Sequence, residues 1–150
     1  MRYYVSNSKS TKTKVKIVLD TNVFISGVFF GGPPYQILDA WRQGKFDIVL
    51  SEEIFDEYQR IATELSRQFK EVDISTFLDL LAVNAIWVYA PQIPFSVSTD
   101  SDDDKFISCA LASRTKLIVS GDKHLLDVSG FRGVAVLKPR AFIDTHIRKS

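Results

Sequence analysis

Short apolar runs recur along this chain with helix-patterned stretches between them, and that alternation constrains the fold more than any other feature. The runs fall at 15–20, Phe46–Leu50, Ile86–Tyr89, 116–120 and Val134–Leu137. They are rich in Val, Ile and Leu rather than strictly alternating, the pattern of strands buried on both faces. Helical spacing fills the gaps. A short helix is expected around Val23-Phe24-Ile25, and another opens at Pro33-Pro34, buries Ile37, Leu38 and Trp41, and stops at Gly44. Ser51 caps a third helix, with Glu52 and Glu53 in its first turn and Ile54, Tyr58, Ile61 and Leu65 on one face as far as about Phe69. Further helices are expected at 73–83, from the acidic run at 98–104 through Leu111, at His124-Leu125-Leu126, and from Pro139 onward. Parallel strands need crossovers of this length, so the expected fold class is α/β, a three-layer α/β/α arrangement with a central parallel sheet of four or five strands.

At 150 residues, with 45% apolar and 25% charged residues, the chain suits one domain with a substantial core. Residues 1–14 are rich in Ser, Thr and Lys without apolar periodicity and are expected to form a flexible arm; 15–150 form the domain. A net charge of +1 provides no global field to draw in nucleic acid. The single cysteine, Cys109, excludes an internal disulfide and suits a reducing cytoplasm, with the thiol expected in the core. No apolar stretch approaches a membrane span.

Two of the apolar runs end in an acid. Val15-Lys16-Ile17-Val18-Leu19 leads into Asp20-Thr21-Asn22, and Lys116-Leu117-Ile118-Val119 into Ser120-Gly121-Asp122. The carboxyl ends of parallel strands are where α/β folds build sites. Either acid alone also suits a turn or cap. Glu57 lies roughly 70° from the centre of its helix's apolar arc and can reach inward, whereas Asp56 points to solvent. In the run Asp102-Asp103-Asp104, with Ile107, Ala110 and Leu111 as the core face, Asp103 falls roughly 35° from centre and Asp104 roughly 65°, on the opposite flank. Asp100 or Asp102 suits capping.

Four converging carboxylates cannot all stay ionised cheaply, and a divalent cation removes that penalty. The alternatives fit less well. A ribonuclease working without metal relies on imidazole, yet the only histidines are His124 and His146, both assigned to solvated positions. A dehalogenase-type phosphatase places a second Asp where this chain has Asn22, and a receiver domain needs an acid after its third strand, where Tyr89-Ala90-Pro91 stands. Neither GxxxxGK[ST] nor GxGxxG occurs. Trp41 and Trp87 are expected in the core. Lys14, Lys16, Arg42, Lys105 and Lys123 are candidate phosphate contacts or plain surface charges. Phe24, Phe29 and Phe30 are expected to pack inside, with a self-association or antitoxin surface as the other possibility.

Four segments, Ile17–Phe24, Ser51–Tyr58, Asp100–Ala110 and Ile118–Leu126, resemble in order and spacing those of PIN domains, in particular the subgroup of toxins from prokaryotic toxin–antitoxin systems. The resemblance spans about residues 15–137. It implies that Asp20, Glu57, Asp103 and Asp122 bind one or two Mg²⁺ or Mn²⁺ ions, with Asn22 and Ser120 supporting and Asp100 and Asp104 close by. It implies metal-dependent endoribonuclease activity on single-stranded RNA, a cognate antitoxin, and a homodimer or higher oligomer. A non-catalytic PIN-like module binding RNA or protein, and a metal-dependent phosphatase, are the remaining alternatives.

Overall fold

A computed structural model describes residues 14–92 and 96–148, so apart from Lys14 the expected N-terminal arm lies outside the described residues. Within them run β1 (Lys16–Leu19), α1 (Thr21–Phe29), α2 (Gly32–Arg42), β2 (Asp47–Leu50), α3 (Glu52–Ser66), α4 (Ile74–Asn84) and β3 (Ile86–Trp87). A 3-10 turn (Ser101–Asp103) then leads into α5 (Asp104–Ser113), followed by β4 (Leu117–Val119), α6 (Lys123–Asp127), β5 (Ala135–Leu137) and α7 (Pro139–Phe142), which continues as a π-helical turn to Ile147. The strands form one parallel sheet in the order β3-β2-β1-β4-β5. This is the expected α/β class at the upper strand count.

That order positions the site. From β1 the chain steps outward to β2 and β3, then returns to the other side of β1 to lay down β4 and β5. The reversal opens a crevice between the carboxyl ends of β1 and β4. Asp20 and Asp122 follow those two ends. The strand ends are pinned there: the Asp20 amide donates to the Val119 carbonyl at 3.0 Å, and the Ser120 amide to Leu137 at 2.9 Å.

The central strands carry the core. Ile17, Val18, Leu19, Ile48, Val49, Leu50, Ile118 and Val119 are fully buried, which explains why their sequences run apolar without alternation. Tyr58 of α3 is fully buried too. Its ring stacks on Phe24 with centroids 4.3 Å apart, and its hydroxyl donates to the Leu19 carbonyl at 2.5 Å. One side chain thereby ties α3 to the last peptide of β1, directly before Asp20. Ser51 caps α3 as expected, accepting from the Ile54 amide. A Cβ on Gly27 would stand 2.7 Å from the Pro34 carbonyl oxygen and 2.7 Å from Leu38 Cδ1, so only glycine lets α1 and α2 approach this closely.

Several expectations need correction. β3 is two residues long instead of four, because it is the sheet edge and runs into Ala90-Pro91, where proline has no amide for a ladder. Trp87 is accordingly 43% exposed rather than core; its indole N–H donates to the Ala82 carbonyl. α3 ends at Ser66, short of Phe69. Phe106, Ser108 and Cys109 are buried in α5 along with Ile107 and Ala110, so this helix lacks the single narrow face assumed for it. Phe24 and Phe29 pack inside, but Phe30 is 62% exposed, its ring edge-on to Phe69. Cys109 is core as expected, and burial pushes its thiol up to about 12, which makes it inert as a nucleophile.

Candidate active site

Asp20 is 4% exposed, a burial that demands compensation for a carboxylate. Ser120 supplies it, donating through Oγ to Asp20 Oδ2 at 2.6 Å, and the Asn22 amide adds a backbone hydrogen bond. The same Ser120 oxygen accepts from the Asp122 amide at 2.9 Å, so one hydroxyl sets the spacing of both strand-end acids. Asp122 Oδ2 accepts from the Leu125 amide and caps α6. Burial raises the Asp20 pKa, the two hydrogen bonds oppose that, and the negative charges of Asp122 and Glu57 raise it further.

Asp103 closes the cluster from the head of α5. Asp122 is the neighbouring acid that most disfavours the charge of Asp103. Asp103 Oδ2 is buried with no hydrogen-bond partner. Desolvation first, then Asp122, and then the charges of Asp100 and Asp20 push its pKa up to about 8. A proton held between two carboxyls is what such a pair retains when no cation compensates it.

Glu57 reaches in from α3. Its Oε2 accepts from Thr21 Oγ1 at 2.5 Å, and its Oε1 lies 2.7 Å from Lys105 Nζ and 4.0 Å from Arg60. Asp56, on the same helix, is exposed and remote from the cluster. The fold thus brings Asp20, Glu57, Asp103 and Asp122 to the β1/β4 crevice. It separates the others by task. Asp100 accepts from the Asp102 amide and caps the 3-10 turn, while its charge still reaches Asp103. Asp104 turns away, accepting from the amides of Val97 and Ser98 and the hydroxyl of Ser96, and so holds the incoming loop. Asn22 is exposed and lines a cleft of about 450 Å³ with Asp20, Ser26, Pro34, Asp122 and Lys123. A larger groove on the outer face of α3, around Asp56, Arg60 and Glu64, touches none of the four acids and has no part in their chemistry.

Two residues at the site were not assigned to it from sequence. Thr21 is buried and fixes Glu57; its position directly after Asp20, at the start of α1, was the available signal. Lys105, from sequence a phosphate contact or a solvated charge, has a side chain only 9% exposed, and its ammonium lies 2.7 Å from Glu57. Of the other basic candidates, Arg42 pairs with Asp39 at the surface, Lys16 donates to the Ser113 carbonyl, and Lys123 pairs with Asp127 at the edge of the cleft. His124 accepts or donates at Thr99 Oγ1, and His146 stacks on Phe142.

The donor set suits a hard divalent cation. It consists of carboxylate oxygens, and the buried, unpartnered Asp103 Oδ2 needs a positive partner. As the side chains stand, no three acids, histidines or cysteines among the described residues form a ready-made cage, and Glu57 is turned to Lys105 and Thr21.

The raised acid has a measurable signature in chelator. Folded Asp103 keeps its proton up to about pH 8, whereas the unfolded group releases it near its ordinary value of 3.8. Between those values the native state binds the extra proton, so stability falls as pH rises through the window and levels off above it. Urea midpoints should decline from pH 5 to pH 8, and Asp103→Asn should flatten the decline. A midpoint that climbs across this range in the wild type would contradict the pairing with Asp122.

No helix among the described residues is long and apolar enough to cross a membrane. A family model described as PIN domain matches residues 16–124, a span that contains all four acids. An uncharacterized protein of Methanocaldococcus jannaschii is 32% identical over 127 residues, covering 80% of this chain and 79% of that protein.

Proposed function

The chain belongs to the PIN domain family, whose members are generally nucleases that use divalent metal ions, and from that premise we propose that it is a Mg²⁺- or Mn²⁺-dependent endoribonuclease cleaving single-stranded RNA. One observation carries the reading: Asp20, Asp103 and Asp122 feel one another's charge at the β1/β4 crevice, with Glu57 acting on Asp20, and a buried Asp103 oxygen there has no hydrogen-bond partner. Asp20, Glu57, Asp103 and Asp122 would hold the ion. When bound, it supplies the positive charge that admits an anionic phosphodiester and an acidified water as nucleophile.

The chain's own groups do the rest. Ser120 keeps Asp20 and Asp122 in register, Thr21 orients Glu57, and Tyr58 fixes the height of α3 against β1. Asn22 and Lys123 stand on the wall of the adjoining cleft, where an amide and an ammonium can meet phosphate oxygens. The motif resemblance extends the proposal to a biological role: a toxin acting in the cytoplasm, self-associated, and held inactive by a cognate antitoxin that covers the acidic cleft.

Metal and substrate are tested together. Mn²⁺ at about 100 times its Kd should add about 2.7 kcal/mol to the native state and raise Tm by about 5–10 °C over chelator. Under the same conditions, the protein should cut a single-stranded RNA internally and leave phosphate monoesters intact. Equal melting in chelator and Mn²⁺ would remove the metal. Turnover of monoesters without RNA cleavage would make the protein a phosphatase, and RNA binding without cleavage a non-catalytic module.

A further inference from the structure

Among the described residues, the Lys105 ammonium pairs with Glu57 while its side chain is nearly buried. Its side chain is 9% exposed, less than the 22% of the Glu57 side chain it pairs with. Three contacts hold it. Nζ lies 2.7 Å from Glu57 Oε1, donates to the Asp102 carbonyl at 2.5 Å, and stands 5.1 Å from the centre of the Phe106 ring. Thr21 occupies the other Glu57 oxygen at 2.5 Å. Both oxygens of Glu57 are therefore engaged by the protein itself. Each oxygen keeps a free lone pair, so a cation can still approach Glu57, but on Oε1 it would stand beside the ammonium. The ammonium is the donor that electrostatics disfavours, because a divalent ion on Oε1 repels a positive charge 2.7 Å from the same oxygen. Thr21 bears no charge and can stay.

Resting on the metal-dependent reading above, we infer that Lys105 is an internal counter-cation that competes with the divalent ion for Glu57 and sets the ion's affinity. It is a positioning residue. Without a divalent ion it holds Glu57 against the repulsion of Asp20; with one, it is displaced from Oε1. Arg60 cannot substitute, since it lies 4.0 Å from the same oxygen with a side chain 66% exposed. The lysine directly follows the run Asp102-Asp103-Asp104, and from the first turn of α5 its stem reaches Glu57 of α3.

Titration calorimetry with Mn²⁺ alone, without RNA, tests this apart from activity. Lys105→Met and Lys105→Gln should each bind Mn²⁺ about five- to tenfold tighter than wild type, the size expected for removing one competing charge from a partly buried pair. In chelator both should melt below wild type, because Glu57 is left uncompensated, and Mn²⁺ should close that gap. Lys105→Arg should bind like wild type, and Arg60→Met should alter affinity less than about twofold. In a Glu57→Gln background the Lys105 effect on affinity should disappear. Unchanged or weaker Mn²⁺ binding in both Lys105 variants, beside a wild type that binds, would overturn the competition and leave the metal site standing. An effect that persists in Glu57→Gln would also overturn it, as a general field effect. Absence of Mn²⁺ binding in every protein would overturn both the metal reading and this one.

Discussion

Asp20→Asn and Asp122→Asn should each lower metal-dependent RNA cleavage by about a thousandfold or more while leaving the protein folded. Asn keeps the shape and one acceptor oxygen, so Ser120 can still donate to residue 20 and residue 122 can still cap α6. The lost quantity is charge. At Asp20 that charge is costly, because burial and the neighbouring Asp122 and Glu57 all disfavour it. The substitution should therefore raise stability in chelator while removing the stabilisation by Mn²⁺. Asp56→Asn, on the exposed face of the helix that bears Glu57, should change neither quantity. Nuclease assays on preparations carried through identical purification, beside melts with and without Mn²⁺, distinguish these outcomes. Wild-type activity in Asp20→Asn would end the mechanism, and a collapse of the fold would show the acid to be structural.

Where the sequence could be read, the reason was local. Strands show as apolar runs because both faces of β1, β2 and β4 are covered, and the acids after β1 and β4 are legible because a parallel sheet gathers its strand ends. Ser51 and Pro33-Pro34 announced helix starts through capping chemistry and missing amides. The failures were tertiary. Trp87 was placed in the core on its hydrophobicity, but nothing local shows that its strand is the sheet edge. Lys105 looked like any lysine at a helix start, and only the packing of α5 beside α3 turns it toward Glu57. Thr21 was passed over in favour of Asn22, because the rotation of α1 decides which of two neighbours faces inward, and the buried one is Thr21. Sequence spacing puts Asp103 and Asp104 on one continuous helix. In fact Asp103 ends a 3-10 turn and Asp104 begins α5, yet the two side chains still diverge.

That divergence separates two neighbouring acids by opposite effects. Asp103→Asn should cost RNA cleavage at saturating Mn²⁺ several orders of magnitude, because the carboxylate opposing Asp122 and its orphaned buried oxygen are lost to the ion. In chelator at pH 8 the same substitution should stabilise the fold, since an amide opposite Asp122 carries no charge to repel and can donate a hydrogen bond to it. Asp104→Asn should spare most of the activity. Its oxygens hold the Val97 and Ser98 amides at 3.2 and 2.8 Å and the Ser96 hydroxyl at 3.3 Å, contacts to a loop rather than to the acid cluster. Asp104→Ala, which removes every acceptor, should cost about 1–3 kcal/mol in urea denaturation by freeing those amides. Circular dichroism establishes that each variant is folded before the assays are compared. The two positions thus move stability in opposite directions and activity by very different amounts, a pattern that generic damage to the α5 start cannot produce. Loss of cleavage in folded Asp104→Asn with Asp103→Asn fully active would transfer the ligand to Asp104 and require α5 to begin with a different rotation.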